Sequence, residues 1–287
     1  MASLLAPSTG TSATVLGAAD ATVDDDPSAA AVAAAAAVAA GSSCIASAAA
    51  PSVSEGGAAA AAAAVPLIVE RAAKSDVLFI ADAMLFAERG AWDYGFWDYM
   101  ISDPLDAAAR LRVLAAIATT GTSSPFHWSR FWVARLESGG AAIAAACGYR
   151  SAACSVEDCA PALRNALAIE GVDADAIESI VHRMDFLAAC YPAAADYSNA
   201  WCIEAVYTAP SARGKGASLA VINAVARDSD RRCSIINIAA YIGNKAAYKL
   251  YARAGYVAVP GDSDSDACEA ALRVTRGFRI FSKATSR

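Results

Sequence analysis

The first 65 residues of this 287-residue chain are dominated by Ala, Ser, Gly and Thr, and that confines any packed domain to the residues after them. Residues 29–40 contain only Ala and Val, and residues 58–64 only Ala. Such a segment has too few large apolar side chains to offset the entropy of ordering it. A 12-residue helix would span roughly 18 Å, short of the ~30 Å hydrocarbon layer, so no membrane partner is expected. No positive residue precedes the alanine run, which argues against a secretory signal. Residues 1–65 therefore read as a disordered tail, and residues 66–287 as one domain in a cytoplasmic protein, with organelle targeting by the Ser/Thr-rich tail as the alternative. The segment 1–66 lacks Lys and Arg and carries five acids, so most of the net charge of −6 belongs to it. The near-neutral remainder offers no basic face for nucleic acid. The eight cysteines form no CxxC pair, and neither His127 nor His182 has zinc spacing to them. Free thiols and no metal are the expectation. His127 and His182 are expected to be structural or surface residues. Nothing in the sequence signals an oligomeric state.

Past the tail, apolar patterning predicts a short strand at 66–70 and a helix over Val77, Ile80, Ala81 and Met84 with Ser75 as its N-cap. A second helix is expected at 104–118 with Pro104 near its first turn. The aromatic run 92–99 lies between them. Residues 129–136 and 141–149 read as a hairpin around Glu137-Ser138-Gly139-Gly140. Helices at 156–169 and 175–190 follow. The remainder predicts strand 203–208, helix 216–227, strand 235–241, helix 245–253, and closing strands at 256–259 and 277–283.

Two turns in that last stretch carry chemistry. Arg213-Gly214-Lys215-Gly216-Ala217-Ser218 joins a strand to a helix. Glycines and small side chains there let backbone N–H groups and the positive end of the helix dipole face an anion such as phosphate. The GxxxxGK[ST] spacing of a nucleotide-binding P-loop is absent. The second turn is Asn244-Lys245-Ala246-Ala247-Tyr248-Lys249-Leu250-Tyr251-Ala252-Arg253-Ala254-Gly255-Tyr256. Asn244, Tyr248 and Tyr251 share one helical face at i, i+4 and i+7, and Ala247 on that face leaves room for a ligand. A capped helix with core tyrosines would show the same pattern.

Taken together, 31 residues apart with a strand before each, the two turns resemble the GNAT superfamily of acetyl-CoA-dependent N-acetyltransferases. The first follows its [QR]-x-x-G-x-[GA] pattern, with Ser218 where Gly or Ala is usual. The second matches N-x-x-A-x-x-L-Y-x-x-x-G-[FY] from Asn244 to Tyr256. The resemblance implies an α+β fold, a mixed and mostly antiparallel central sheet flanked by helices. Two parallel central strands splay apart in that fold to form the acyl-CoA cleft.

It further implies acetyl-CoA as co-substrate and direct attack of an amine on the thioester in a ternary complex. Val206, Tyr207 and Thr208 would pair with the pantetheine arm through their backbone. Arg213, Gly214, Lys215, Gly216, Ala217 and Ser218 would hold the pyrophosphate. Asn244, Ala247 and Tyr248 would line the cofactor path, and Tyr251 would protonate the leaving thiolate. Glu204, on the strand beside the thioester, is the candidate base, with Asp185 and Tyr197 as substitutes. The acceptor is expected to be a small amine or peptide amine. Eight acids within 152–200 and the aromatics of 92–99 suggest a cationic one. The alternative is a non-catalytic acyl-CoA-binding module that retains the fold, which Ser218 would suit.

Overall fold

A computed structural model of the chain describes residues 66–101, 103–121, 123–153, 156–188, 199–261 and 265–285. The expected tail, Tyr197 and the side chain of Asp185 lie outside the described residues. Seven strands form one sheet in the order β1-β2-β3-β4-β5-β7-β6. They are β1 (Ile68–Arg71), β2 (Phe131–Arg135), β3 (Ala144–Arg150), β4 (Ala200–Thr208), β5 (Ile235–Tyr241), β6 (Val257–Ala258) and β7 (Phe278–Ala284). Every neighbouring pair is antiparallel except β4 and β5, which run parallel.

Helices cover both faces, because successive strand residues point to opposite sides and both sides are apolar. In β5, Ile236, Ile238 and Ala240 pack with α6 (Ala217–Arg227) and α7 (Lys245–Arg253), while Ala239 and Tyr241 face the other core. That other core is filled by α1 (Val77–Ala87), α3 (Ala107–Thr119), α4 (Ala160–Ile169) and α5 (Ala174–Ala188). Helix α6 lies tightly on the sheet. A Cβ added at Gly148 would sit 2.4 Å from Val225 Cγ1 and 2.8 Å from Trp201 Nε1.

The feature that shapes the site is a β-bulge in β4. Cys147 pairs with Glu204 but Ala145 pairs with Tyr207, so β4 carries one residue more than β3 between those points. Ala205 absorbs it with φ of 51°, a left-handed conformation costing an alanine roughly 1–2 kcal/mol. The extra residue reverses the alternation. Ile203 faces the α6–α7 core before the bulge, and Val206 does so after it. The parallel register between β4 and β5 runs only from Ala200 with Ile235 to Ile203 with Ile238. Beyond that point the two strands part.

Several expected boundaries move. Lys74–Asp76 forms a 3-10 turn, and Asp76, not Ser75, closes it by accepting from the Ala73 N–H at 2.9 Å. Arg135 holds that Asp76 carboxylate at 2.7 Å, which an exposed Ser75 could not supply. Helix α3 starts at Ala107 with Asp106 as its cap, accepting from the Ala109 N–H at 2.7 Å, so Pro104 lies in the turn before it. Trp128–Arg130 is a 3-10 turn that delays β2 to Phe131, and the hairpin closes through the Gly140 N–H on the Glu137 carbonyl. The predicted 156–169 helix divides into a 3-10 turn, Val156–Cys159, and α4. The aromatic run contains an unpredicted helix, α2 (Phe96–Ile101), and a further one, α8 (Asp266–Leu272), precedes β7. Cys268 on α8 is disulfide-bonded, against the expectation of thiols throughout, while Cys147, Cys159, Cys202 and Cys233 are buried. Sequence spacing carries no information about such a pairing.

Candidate active site

Where β4 and β5 diverge, an open cleft lies between them. Glu204, Ala205 and Val206 form one wall and Ala239, Ala240 and Tyr241 the other. Glu88, at the end of α1, Tyr251 of α7 and Asn244 complete the lining. The described lining thus contains four of the sequence-predicted residues: Glu204, Val206, Asn244 and Tyr251.

Tyr251 is buried, and its hydroxyl donates to the Ala239 carbonyl at 3.2 Å, on the β5 edge that β4 has left. Burial raises its pKa far above the ordinary phenol value, with the Glu88 charge adding to the effect. The phenol therefore stays protonated across the physiological range. Asn244 serves as the cap of α7, its Oδ1 accepting from the Ala247 N–H at 3.1 Å. Its amide nitrogen faces Gly90, where an added Cβ would approach to 2.9 Å.

The other predicted residues take different positions. Tyr248 accepts from the Gly243 N–H and donates to the Tyr241 carbonyl, bracing the turn between β5 and α7. The Tyr207 ring leaves the cleft to stack on Phe86 of α1 with centroids 5.8 Å apart. Thr208 and Ser218 share a 2.5 Å hydrogen bond that ties the end of β4 to the first turn of α6. The Ser218 hydroxyl is thus occupied within the protein. Arg213, Gly214, Lys215 and Gly216 are exposed in the loop before α6, and Ala217 is buried at its start. Gly214 and Gly216 have φ of 80° and 81°, so the backbone shape itself requires glycine there. Nothing of the protein lies within 4 Å of a Cβ built on either, leaving the loop open to a ligand.

Sequence reasoning missed Glu88. It is the C-cap residue of α1 and forms a hydrogen bond with Tyr241, whose oxygen also accepts from the Phe96 N–H at 3.0 Å. Burial, then repulsion from Glu204, lifts its carboxyl pKa to about 8, against the opposing Tyr241 hydrogen bond. Burial also raises Glu204, opposed by the Tyr149 hydroxyl that donates to it at 2.8 Å. A signal existed in the sequence: an acid at the C-terminal end of an apolar helix opposes the helix dipole and calls for a reason.

Gly95 fixes this corner, since a Cβ there would lie 1.9 Å from the Glu88 carbonyl oxygen. Gly95→Ala is expected to cost about 1–3 kcal/mol by overpacking and to displace the end of α1. Chemical denaturation measures the first effect, and a crystal structure of the variant the second.

Of the expected acidic wall, the side chains of Glu157, Asp185 and Asp196 lie outside the described residues, and the described acids are turned elsewhere. Glu170 pairs with Arg112 at 2.6 Å and Glu178 with Arg164 at 2.8 Å, and none of the eight acids is in the described lining. The aromatic run is likewise spent on packing, with Phe96 and Trp97 buried edge to face at 4.7 Å. His127 caps a 3-10 turn and His182 is exposed, as expected. Among the described residues no group of acids, His and Cys is placed to hold a metal, and no helix is long and apolar enough to cross a membrane.

The β4, β5 and α7 residues that line this cleft lie within the stretch 179–256 that matches the family model described as Acetyltransferase (GNAT) family, whereas Glu88 and Phe278 lie outside it. Over that stretch the chain is similar to GNAT-family acetyltransferases. No curated protein sequence matches the chain. Among solved structures, one described as an acetyltransferase superposes with a TM-score of 0.52 at 16% identity, covering 76% of this chain and 100% of that one. An N-acetyltransferase from Staphylococcus aureus Mu50 gives 0.50 at 14% identity, covering 76% and 99%. At these identities the likeness is one of fold, and it spans most of the described residues.

Proposed function

We propose that this GNAT-like domain moves an acetyl group from acetyl-CoA to a primary amine by direct attack within a ternary complex. The observation that carries the reading is the parting of β4 and β5 at Ala205, which brings Tyr251 and Glu204 into one cleft. From Glu204 onward β4 has no register with β5. Its backbone groups at Val206, Tyr207 and Thr208 would pair with a pantetheine arm as an added strand would. A Val206 N–H in this position would also polarise the thioester carbonyl.

The pyrophosphate would rest on the open loop from Arg213 to Ser218, against the first N–H groups of α6 and beside the Arg213 and Lys215 charges. Asn244 keeps its oxygen for the helix cap and offers its nitrogen to the cofactor, while Ala247 leaves space and Tyr248 fixes the turn. Glu204 accepts the proton of the attacking amine, and Tyr251 supplies one to the departing thiolate. Two carboxyl groups in the cleft favour a cationic small amine or peptide amine.

Mixing the purified chain with acetyl-CoA and a panel of primary amines tests this. Thiol release with at least one amine is expected, together with a rise in melting temperature on adding CoA. A well-folded protein that shows neither overturns the proposal.

A further inference from the structure

We propose that Glu88 and Glu204 act as one carboxyl pair that carries a single negative charge, captures the acceptor as its ammonium ion and removes the first proton from it. The inference rests on the acetyltransfer reading above and assigns a role to Glu88, which neither motif reaches.

The geometry is that of two acids presented to one space from two elements. Glu88 comes from the end of α1 and Glu204 from the bulged strand, and both line the cleft. Each is held from behind by one phenol, Tyr241 for Glu88 and Tyr149 for Glu204. Arg89, next to Glu88 in the chain, is turned to Asp98 at 2.6 Å and is paired there. The other titratable group felt by Glu88 from α7 is Tyr251, protonated and neutral. Two carboxylates in such a space repel, and one retains a proton. The negative end of α1 strengthens that tendency at Glu88.

The bookkeeping of protons then closes. The bound ammonium gives one proton to the singly charged pair, leaving a neutral amine and a neutral pair. Nitrogen attacks the thioester carbon, the carbonyl π electrons move to oxygen, and the nitrogen becomes cationic. As the C–S bond breaks, sulfur takes the Tyr251 proton and Tyr251 regains one from that nitrogen. The amide and the thiol leave, and the pair releases its extra proton to water.

Infrared spectra of the full chain, wild type and Glu88→Gln, test the pair directly. A carboxylic acid C=O band is expected in the wild type at neutral pH, fading near pH 8 and missing from the variant. Identical spectra overturn the proposal. With benzylamine and acetyl-CoA, kcat/KM should fall at least about 100-fold in Glu88→Gln, and the pH at which the profile breaks should move. A variant within threefold of wild type, with the same profile, also overturns it. Wild-type protein silent toward benzylamine and the whole amine panel sinks the acetyltransfer reading instead, and the infrared comparison still decides the pair.

Discussion

Tyr251→Phe should lower kcat for thiol release by about 100-fold or more while leaving the affinity for CoA unchanged, the scale expected for loss of a positioned proton donor. Only the hydroxyl is lost. In the free protein that hydroxyl donates to Ala239, so stability should fall by no more than about 1 kcal/mol. The direction of the pKa shift decides how the residue works. A thiol titrates near ~8.5, whereas a buried phenol pushed above its ordinary ~10 is the weaker acid. Outright transfer from Tyr251 to the thiolate is therefore uphill. It becomes favourable when the phenol is refilled by the cationic nitrogen of the same intermediate. The variant should accordingly lose activity by a similar factor from neutral to mildly alkaline pH, because no tyrosine ionisation falls in that window. Steady-state thiol release and calorimetric CoA binding separate the two effects. A kcat within threefold of wild type would remove Tyr251 from the chemistry.

Tyr251 was legible in the sequence because its information is local. Asn244, Tyr248 and Tyr251 fall on one helical face whatever the rest of the chain does, and helix 245–253 is found with the predicted bounds. The loop glycines were legible for the same reason, since Gly214 and Gly216 take the positive φ that only glycine adopts freely. The bulge was not. Ala205 carries no Gly or Pro mark, and its left-handed backbone is imposed by pairing with β3, a contact made far along the chain.

Function distributed over helices was the least legible part. Glu170 and Glu178 lie on amphipathic segments whose outward face composition cannot tell apart from a substrate wall, and both proved to be arginine partners. Glu88 presented the opposite case, a single acid in an apolar context whose neighbours Tyr241 and Glu204 come from β5 and β4. Among the described residues, the sheet topology brings Glu88 to the cleft and none of the acids of 152–200. The aromatic run fared similarly: Trp97 reads as a ligand surface in sequence but is 1% exposed in the core.

That core is pinned beside the cleft by Asp98, and Asp98→Asn is expected to destabilise the fold by about 3–5 kcal/mol, the cost of breaking a buried ion pair from one side. The carboxylate is 2% exposed and receives Arg89 through two nitrogens at 2.6 and 2.7 Å, Arg110 at 2.5 Å, and the Gly95 N–H at 3.1 Å. An amide in its place offers one acceptor oxygen and no charge, so two arginines with side chains 19% and 17% exposed would lose their counterion. The unfolding midpoint should fall by roughly 10 °C for a domain of this size. Glu178→Gln is the comparison that gives the figure meaning. Its pair with Arg164 is solvent-exposed, and a screened surface pair holds no charge out of water, so the midpoint should not move. Asp98 also decides where Arg89 points. Freed from it, Arg89 would be a cation without its partner, one residue from Glu88 in the chain, and an ion pair between the two would hold Glu88 ionised. Asp98→Asn assayed well below its midpoint should therefore lose the carboxylic acid band assigned to Glu88, even though the substituted residue does not line the cleft. Equal melting midpoints for Asp98→Asn and Glu178→Gln would show that the Asp98 cluster does not organise this corner of the domain.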